Sequence, residues 1–205
     1  LPGGAMSARK GRVVIFKDVA DEAIRRFTET SKEKNPDLSE EVRAGVAKAV
    51  GLGSLAYAML AVDNSRDTIF DVEKALSFEG RTGPYIQNAH VRAASILKKF
   101  EGLKVESLES ATFNFELTSH EIELIELLSR FPAVVEQAAK EYRPMIMATY
   151  AYDLASAFHS FYHAVPVLKS ETDAIRDARL QLVTAAKQTL ANALKLLAIT
   201  APEVM

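Results

Sequence analysis

Three stretches of this 205-residue sequence carry side chains whose types and spacing could do chemistry. The first is Ala5-Met6-Ser7-Ala8-Arg9-Lys10-Gly11. Small residues let a backbone approach an anion closely, and Arg9 and Lys10 could neutralise phosphate charge in a transition state. The plainer reading is a solvated basic loop. The second stretch, Tyr85 to Arg92, offers donors and acceptors on Gln87, His90 and Arg92 and a stacking face on Tyr85. The plainer reading there is a junction helix with a wet polar face. The third runs from Tyr150 to His163 and holds Tyr150, Tyr152, Phe158, Phe161 and Tyr162, too many aromatics for one core-facing stripe. His159 and His163 are four apart and share a helix face, but no carboxylate or third histidine stands at ligand spacing, so no metal is assigned. Phosphate-loop, dinucleotide and nucleophile-elbow patterns are absent.

The elements that must position these groups are mostly helices. After the Gly-rich start, Val13-Val14-Ile15-Phe16 predicts a short buried strand. Asp18 and Asp21 open a helix to about Lys34, with acids in its first turn. Asn35-Pro36-Asp37 turns the chain, and Ser39 caps a helix with Val42, Val46, Ala49 and Val50 on one face. Gly51-Leu52-Gly53 reads as an interruption, followed by helix passing into strand near Met59 to Val62. Phe70 to Phe78 reads as helix, and Glu79 to Pro84 is the clearest break in the chain. Pro84 suits the first turn of a helix over Tyr85 to Phe100. Glu101 to Phe115 reads as a long acidic loop. Thr118 and Glu121 have capping-box spacing, Pro132 and Pro144 each begin a helix, and Pro166 ends one. Ser170 and Asp173 repeat the cap spacing before a last helix to about Ala198, with Val183, Leu190, Leu194 and Leu197 inward. Several long helices with short links predict a bundle.

Composition narrows the classes. With no cysteine there is no disulfide scaffold, thiol nucleophile or cysteine zinc site. The 25 basic against 27 acidic residues give a charge of −2, which excludes a uniformly basic nucleic-acid coat but leaves room for a local patch. Such a patch exists: the first 17 residues hold Arg9, Lys10, Arg12 and Lys17 and no acid. No apolar run approaches the roughly 20 residues a membrane span needs, so no membrane partner is expected. Leu1-Pro2-Gly3-Gly4 lacks the basic and apolar blocks of a signal peptide, and the missing initiator Met suggests a fragment.

Taken together the segments resemble the arginyl-tRNA synthetases, over essentially the whole chain. Met6 to Gly11 looks like a degenerate form of the second class I signature loop, with Ala5 and Ala8 where its lysines stand. Val50-Gly51-Leu52-Gly53, followed by Leu55 and Tyr57, is similar to the family's VGxGA-type segment. Phe78-Glu79-Gly80-Arg81-Thr82-Gly83-Pro84-Tyr85-Ile86-Gln87 is close to its FEGxTGPYxQ junction, the most specific motif present. Tyr152-Asp153-Leu154-Ala155, Phe161-Tyr162, Val167-Leu168, Asp177-Ala178-Arg179-Leu180 and Ala201 to Met205 resemble the anticodon-binding end of such enzymes.

The resemblance implies a mainly α fold: a helical-bundle anticodon-binding domain, residues 85–205, preceded by a small α/β segment in residues 1–84 from the end of a class I catalytic domain. It implies attachment of arginine to its tRNA in an ATP-dependent reaction through an adenylate, in the cytoplasm, with arginine, ATP with Mg, and arginine tRNA as partners. Met6, Ser7, Arg9 and Lys10 would contact ATP, with Arg9 and Lys10 in the catalytic role. Tyr85, Gln87, Asn88, His90, Arg92, Tyr162 and Met205 would contact tRNA, with Asn88 standing where the family usually has tyrosine. The first class I signature would lie upstream, so this chain alone is expected not to aminoacylate. A protein-interaction scaffold with the same shape, and a cysteine-specific enzyme sharing the anticodon domain, are the alternatives.

Overall fold

The computed structural model describes residues 15–66, 71–100 and 115–205. Seven helices account for the described elements: α1 (Phe16–Lys34), α2 (Glu40–Leu60), α3 (Val72–Ala75), α4 (Gly83–Lys98), α5 (Ser119–Glu141), α6 (Pro144–Ala164) and α7 (Asp173–Leu196). The helices begin where side chains can satisfy free N–H groups. Ser39 accepts from Val42 N–H, Thr82 from Tyr85 N–H and Thr172 from Ile175 N–H. Thr118 and Glu121 complete the expected capping box.

Glu121 also reaches across the bundle, accepting from Arg179 Nε at 2.8 Å while 1% exposed. Burial pushes its carboxyl upward, but Arg179 and the Thr118 N–H and O–H more than offset this and hold it below its usual value.

The mainly α fold is as expected, but among the described residues there is no strand, so the expected small α/β segment is not shown there. Ile15 is the N-cap of α1 and Phe16 its first residue, and both are exposed rather than buried. Val13 and Val14 lie outside the described residues. Met59 and Leu60 finish α2 as helix.

The expected interruption at Gly51-Leu52-Gly53 does not occur, because these glycines serve packing between helices. A Cβ on Gly51 would sit 3.1 Å from Ile24, and one on Gly53 would sit 2.9 Å from both Gln87 Nε2 and Ile199 Cγ2. On α2, Val46 and Val50 are buried as expected, but Val42 is exposed and Arg43 takes the inner position. Its guanidinium donates to the carbonyls of Asn35, Pro36 and Leu38 and ties down the α1–α2 turn.

Two further helix boundaries differ. Pro132 lies inside α5 instead of starting a helix. It faces solvent, where water can meet the carbonyl that its missing N–H leaves free. Thr172, not Ser170, caps α7, since the Ser170 hydroxyl donates back to the carbonyls of Pro166 and Val167. Of the expected helix over Phe70 to Phe78, Phe70 lies outside the described residues, and the rest contains one turn, α3, capped by Asp71, whose carboxylate accepts from Glu73 N–H and Lys74 N–H. Of the expected loop at Glu101 to Phe115, residues 101–114 lie outside the described residues.

The main core lies between α4, α5, α6 and α7, with Leu154, Phe158, Phe161, Leu190 and Leu194 at its centre. Tyr57 extends it into α2, donating to Ala148 O at 3.2 Å. A smaller core of Phe27, Val46, Ala47 and Val50 joins α1 to α2, with Phe78 and Met205 packed on it. The chain end therefore touches the first helix pair and not only the bundle.

Candidate nucleic-acid interface

Helix α4 divides its residues between two duties. Ile86, Ala89, Ala93 and Ile96 are buried in the core. Tyr85, Asn88 and Arg92 follow i, i+3, i+7 spacing and share a partly exposed face. Thr82 fixes where this face begins, because its hydroxyl donates to Ser77 O at 2.6 Å while accepting from Tyr85 N–H.

Helix α6 presents Tyr152, His159, Tyr162 and His163 to the same side. The result is a line of rings and cations. The Arg81 guanidinium sits 4.9 Å over the Tyr152 ring. Tyr152 is 5.4 Å from Tyr85, and Tyr85 meets His159 edge-on at 4.8 Å. Arg92 then lies 5.1 Å over Tyr162, which is 39% exposed.

Arg92 also donates through Nη1 to His159 Nδ1 at 3.4 Å and to His163 Nε2 at 3.2 Å. That leaves the His159 Nε2–H facing Tyr85 O at 3.4 Å. Burial, followed by the neighbouring Arg92 charge, pushes the His159 pKa down to about 4, so both ring nitrogens have settled roles at neutral pH. The pair at i, i+4 thus serves the guanidinium. Among the described residues no group of three or more His, Asp or Glu side chains is arranged to hold a metal.

On the far side of Arg92 lies a groove of about 400 Å³, lined among others by Phe27, Lys34, Phe78, Asn88, Arg92 and Met205. Phe27 and Phe78 meet edge-on at 5.5 Å, and the Lys34 ammonium lies 4.9 Å over Phe78. Asn35 Nδ2 donates to Met205 O at 3.0 Å and closes the rim. A second groove of about 420 Å³ lies between α4 and the α6–α7 link, with Arg92, Lys99, Tyr162 and Leu168 in its lining. Arg92 is therefore common to both. Flat apolar faces, a guanidinium and an amide around pockets larger than a planar ring suit an unstacked base, whose faces stack and whose edges hydrogen-bond.

The structure brings Asn88, Arg92 and Met205 to one groove and places Tyr162 beside Arg92. Tyr85 is half-buried between Tyr152 and His159. Gln87 and His90 are buried and turned toward the chain's own carbonyls. Met6, Ser7, Arg9 and Lys10 lie outside the described residues. The sequence reading did not include Lys34, Asn35 or His159 in the site. Lys34 and Asn35 sit at a helix end remote in sequence from α4, where no spacing rule connects them.

Residues 86–205 match the model of the DALR anticodon binding domain, and residues 2–72 match that of the class I tRNA synthetase (R) catalytic domain. The chain belongs to the DALR anticodon-binding-domain family. Over its full length it matches the C-terminal region of arginyl-tRNA synthetases. An arginine–tRNA ligase of Pyrococcus abyssi is 47% identical over 207 residues, covering all of this chain and 33% of that protein. One of Thermococcus sibiricus is 44% identical over 211 residues, covering 32% of it. The solved Thermus thermophilus arginyl-tRNA synthetase superimposes with a TM-score of 0.87 at 37% identity, over 99% of this chain and 34% of that one. The chain thus spans about a third of the length of the curated relatives it matches.

Proposed function

We propose that this chain is the anticodon-reading part of an arginine–tRNA ligase, and that the groove walled by Arg92 and Met205 receives an unstacked anticodon base. The parent reaction activates arginine with ATP, taken with Mg, and transfers it to the terminal ribose of arginine tRNA. Residues 85–205 form the reading domain and residues 1–84 the end of the catalytic domain. Met6, Ser7, Arg9 and Lys10 close over ATP, and Arg9 and Lys10 neutralise charge on the departing pyrophosphate. A cytoplasmic location accords with a role in charging tRNA. Among the described residues no helix is long and apolar enough to cross a membrane.

The observation that carries the reading is the position of Arg92. It lies over Tyr162 while forming part of the groove with Asn88 and Met205. Of the tRNA-contact residues expected from sequence, Asn88, Arg92 and Met205 touch this base, Tyr162 meets RNA on the other side of Arg92 in the second groove, and Tyr85 supports the stack. Gln87 and His90 have no surface to offer a base. The test is binding of an arginine anticodon stem-loop RNA by this chain, against the same stem-loop with its anticodon replaced. Tighter binding of the arginine sequence is expected. Equal binding at low salt would sink the proposal and favour a protein-interaction scaffold.

A further inference from the structure

Two buried polar side chains on α4 are left without a role in base reading. Gln87 is fully buried and His90 is 2% exposed. Both reach the segment that follows α7. Gln87 Nε2 donates to Thr200 O at 2.8 Å and to Ala49 O at 3.2 Å. His90 Nδ1 lies 2.8 Å from Pro202 O. A carbonyl only accepts, so Nδ1 carries the proton. The two side chains stand one helical turn apart and grip alternate residues of the tail.

The surrounding packing fits this grip. Ala198 adopts φ +56°, a left-handed turn uncommon for alanine, and the Ile199 N–H returns to Leu194 O at 2.9 Å. The turn sends the chain off the end of α7 and onto α4. Gly53 leaves room for Gln87 and Ile199, since any Cβ there would meet both at 2.9 Å. Gln87 Oε1 is buried and finds no hydrogen-bond partner among the described residues. An amide that sacrifices one atom in this way is poor core filling, and its worth lies in the donor it aims at Thr200. Beyond Pro202 the tail is tied by Lys187 to Glu203 at 2.8 Å, a largely exposed pair that contributes little, and by Asn35 to Met205 O.

We infer that Gln87 and His90 are positioning residues for anticodon recognition: they hold Thr200 and Pro202 and thereby set Met205 in the wall of the base groove. This rests on the base-reading proposal above. It assigns the two residues a specificity role exercised without touching RNA.

The test is a thermodynamic cycle read by stem-loop RNA binding. Four proteins are compared: the chain itself, His90→Ala, the chain lacking Val204 and Met205, and the combination. His90→Ala is expected to weaken the arginine stem-loop by about tenfold, the order of one lost base contact, with little effect on the replaced-anticodon RNA. The combined variant should bind no worse than the shortened chain, since both changes remove the same contact. His90→Asn, which keeps a donor near Nδ1, should recover most of the affinity. Gln87→Met carries the same comparison if His90→Ala does not fold. The inference is overturned if the chain discriminates anticodons but the two losses add in full, or if the loss falls equally on both RNAs. If the unaltered chain does not discriminate, the base-reading proposal fails first and takes this inference with it.

Discussion

Tyr162 shows how two uses of one aromatic can be told apart. Its neighbours in the aromatic run, Phe158 and Phe161, are fully buried, whereas Tyr162 is 39% exposed beneath Arg92. Tyr162→Ala is therefore expected to lower stem-loop affinity by about 1–3 kcal/mol while leaving the melting temperature nearly unchanged. A large drop in melting temperature without a binding defect would return Tyr162 to the core. His159 makes the opposite wager. Burial, then the charge of Arg92, depresses its pKa from 6.5 to about 4, and His163 beyond Arg92 acts in the same direction. The unfolded chain takes a proton near pH 6.5 that the folded chain refuses until about pH 4. Stability is thus complete above pH 6.5 and falls as the pH drops through that window, by up to ~3 kcal/mol. His159→Gln should flatten the dependence of melting temperature on pH between 7 and 4.5. Some slope should remain, because burial lowers the His90 pKa as well.

At the scale of elements the crossing of α2 and α4 is the most demanding contact. A Cβ on Gly83 would lie 2.7 Å from Gly53 O, a backbone atom that no rotamer change can move. Gly83→Ala should cost about 3 kcal/mol in urea unfolding. Gly45, on the exposed side of α2, has nothing within 4 Å of its Cβ position, and Gly45→Ala should stabilise by about 1 kcal/mol. Equal effects at the two sites would show that helix propensity, not packing, governs these glycines. The same contrast explains what was legible in the sequence. The caps at Ser39 and Thr118, the starts marked by Pro84 and Pro144 and the inward face of α7 follow from local chemistry. Gly51 and Gly53 read locally as a break, because their reason lies in Ile24 and Gln87 on other helices. Ile15 and Phe16 read as a buried strand, because composition does not reveal that they stand exposed at a helix start. The site divides likewise: Arg92 and Tyr162 stood in recognisable patterns, but the burial of Gln87 and His90 depends on a tail more than a hundred residues away.

For the whole molecule the small net charge of −2 and the local character of the interface go together. The cations arranged along the described face are Lys34, Arg81, Arg92 and Lys99. Each phosphate neutralised on a single strand contributes roughly −0.7 to the slope of log affinity against log salt, so stem-loop binding should show a slope of about −3 or shallower. A much steeper slope would mean that a larger basic surface, not this face, dominates binding. The groove also crosses the line between the two matched family models. Phe27, Lys34 and Asn35 come from the catalytic match, while Asn88, Arg92 and Met205 come from the anticodon match.

The tail that completes this groove is held by two buried hydrogen bonds from α4, one hydrogen bond from Asn35 and an ion pair with Lys187. Such a segment opens locally far more often than the bundle unfolds. While it is detached, Met205 is missing from the groove wall, so measured affinity is the closed-state affinity scaled by the fraction of time the tail is docked. The coupling is reciprocal. RNA seated against Met205 holds the tail down, and amide exchange at Thr200 to Met205 should slow when the arginine stem-loop binds.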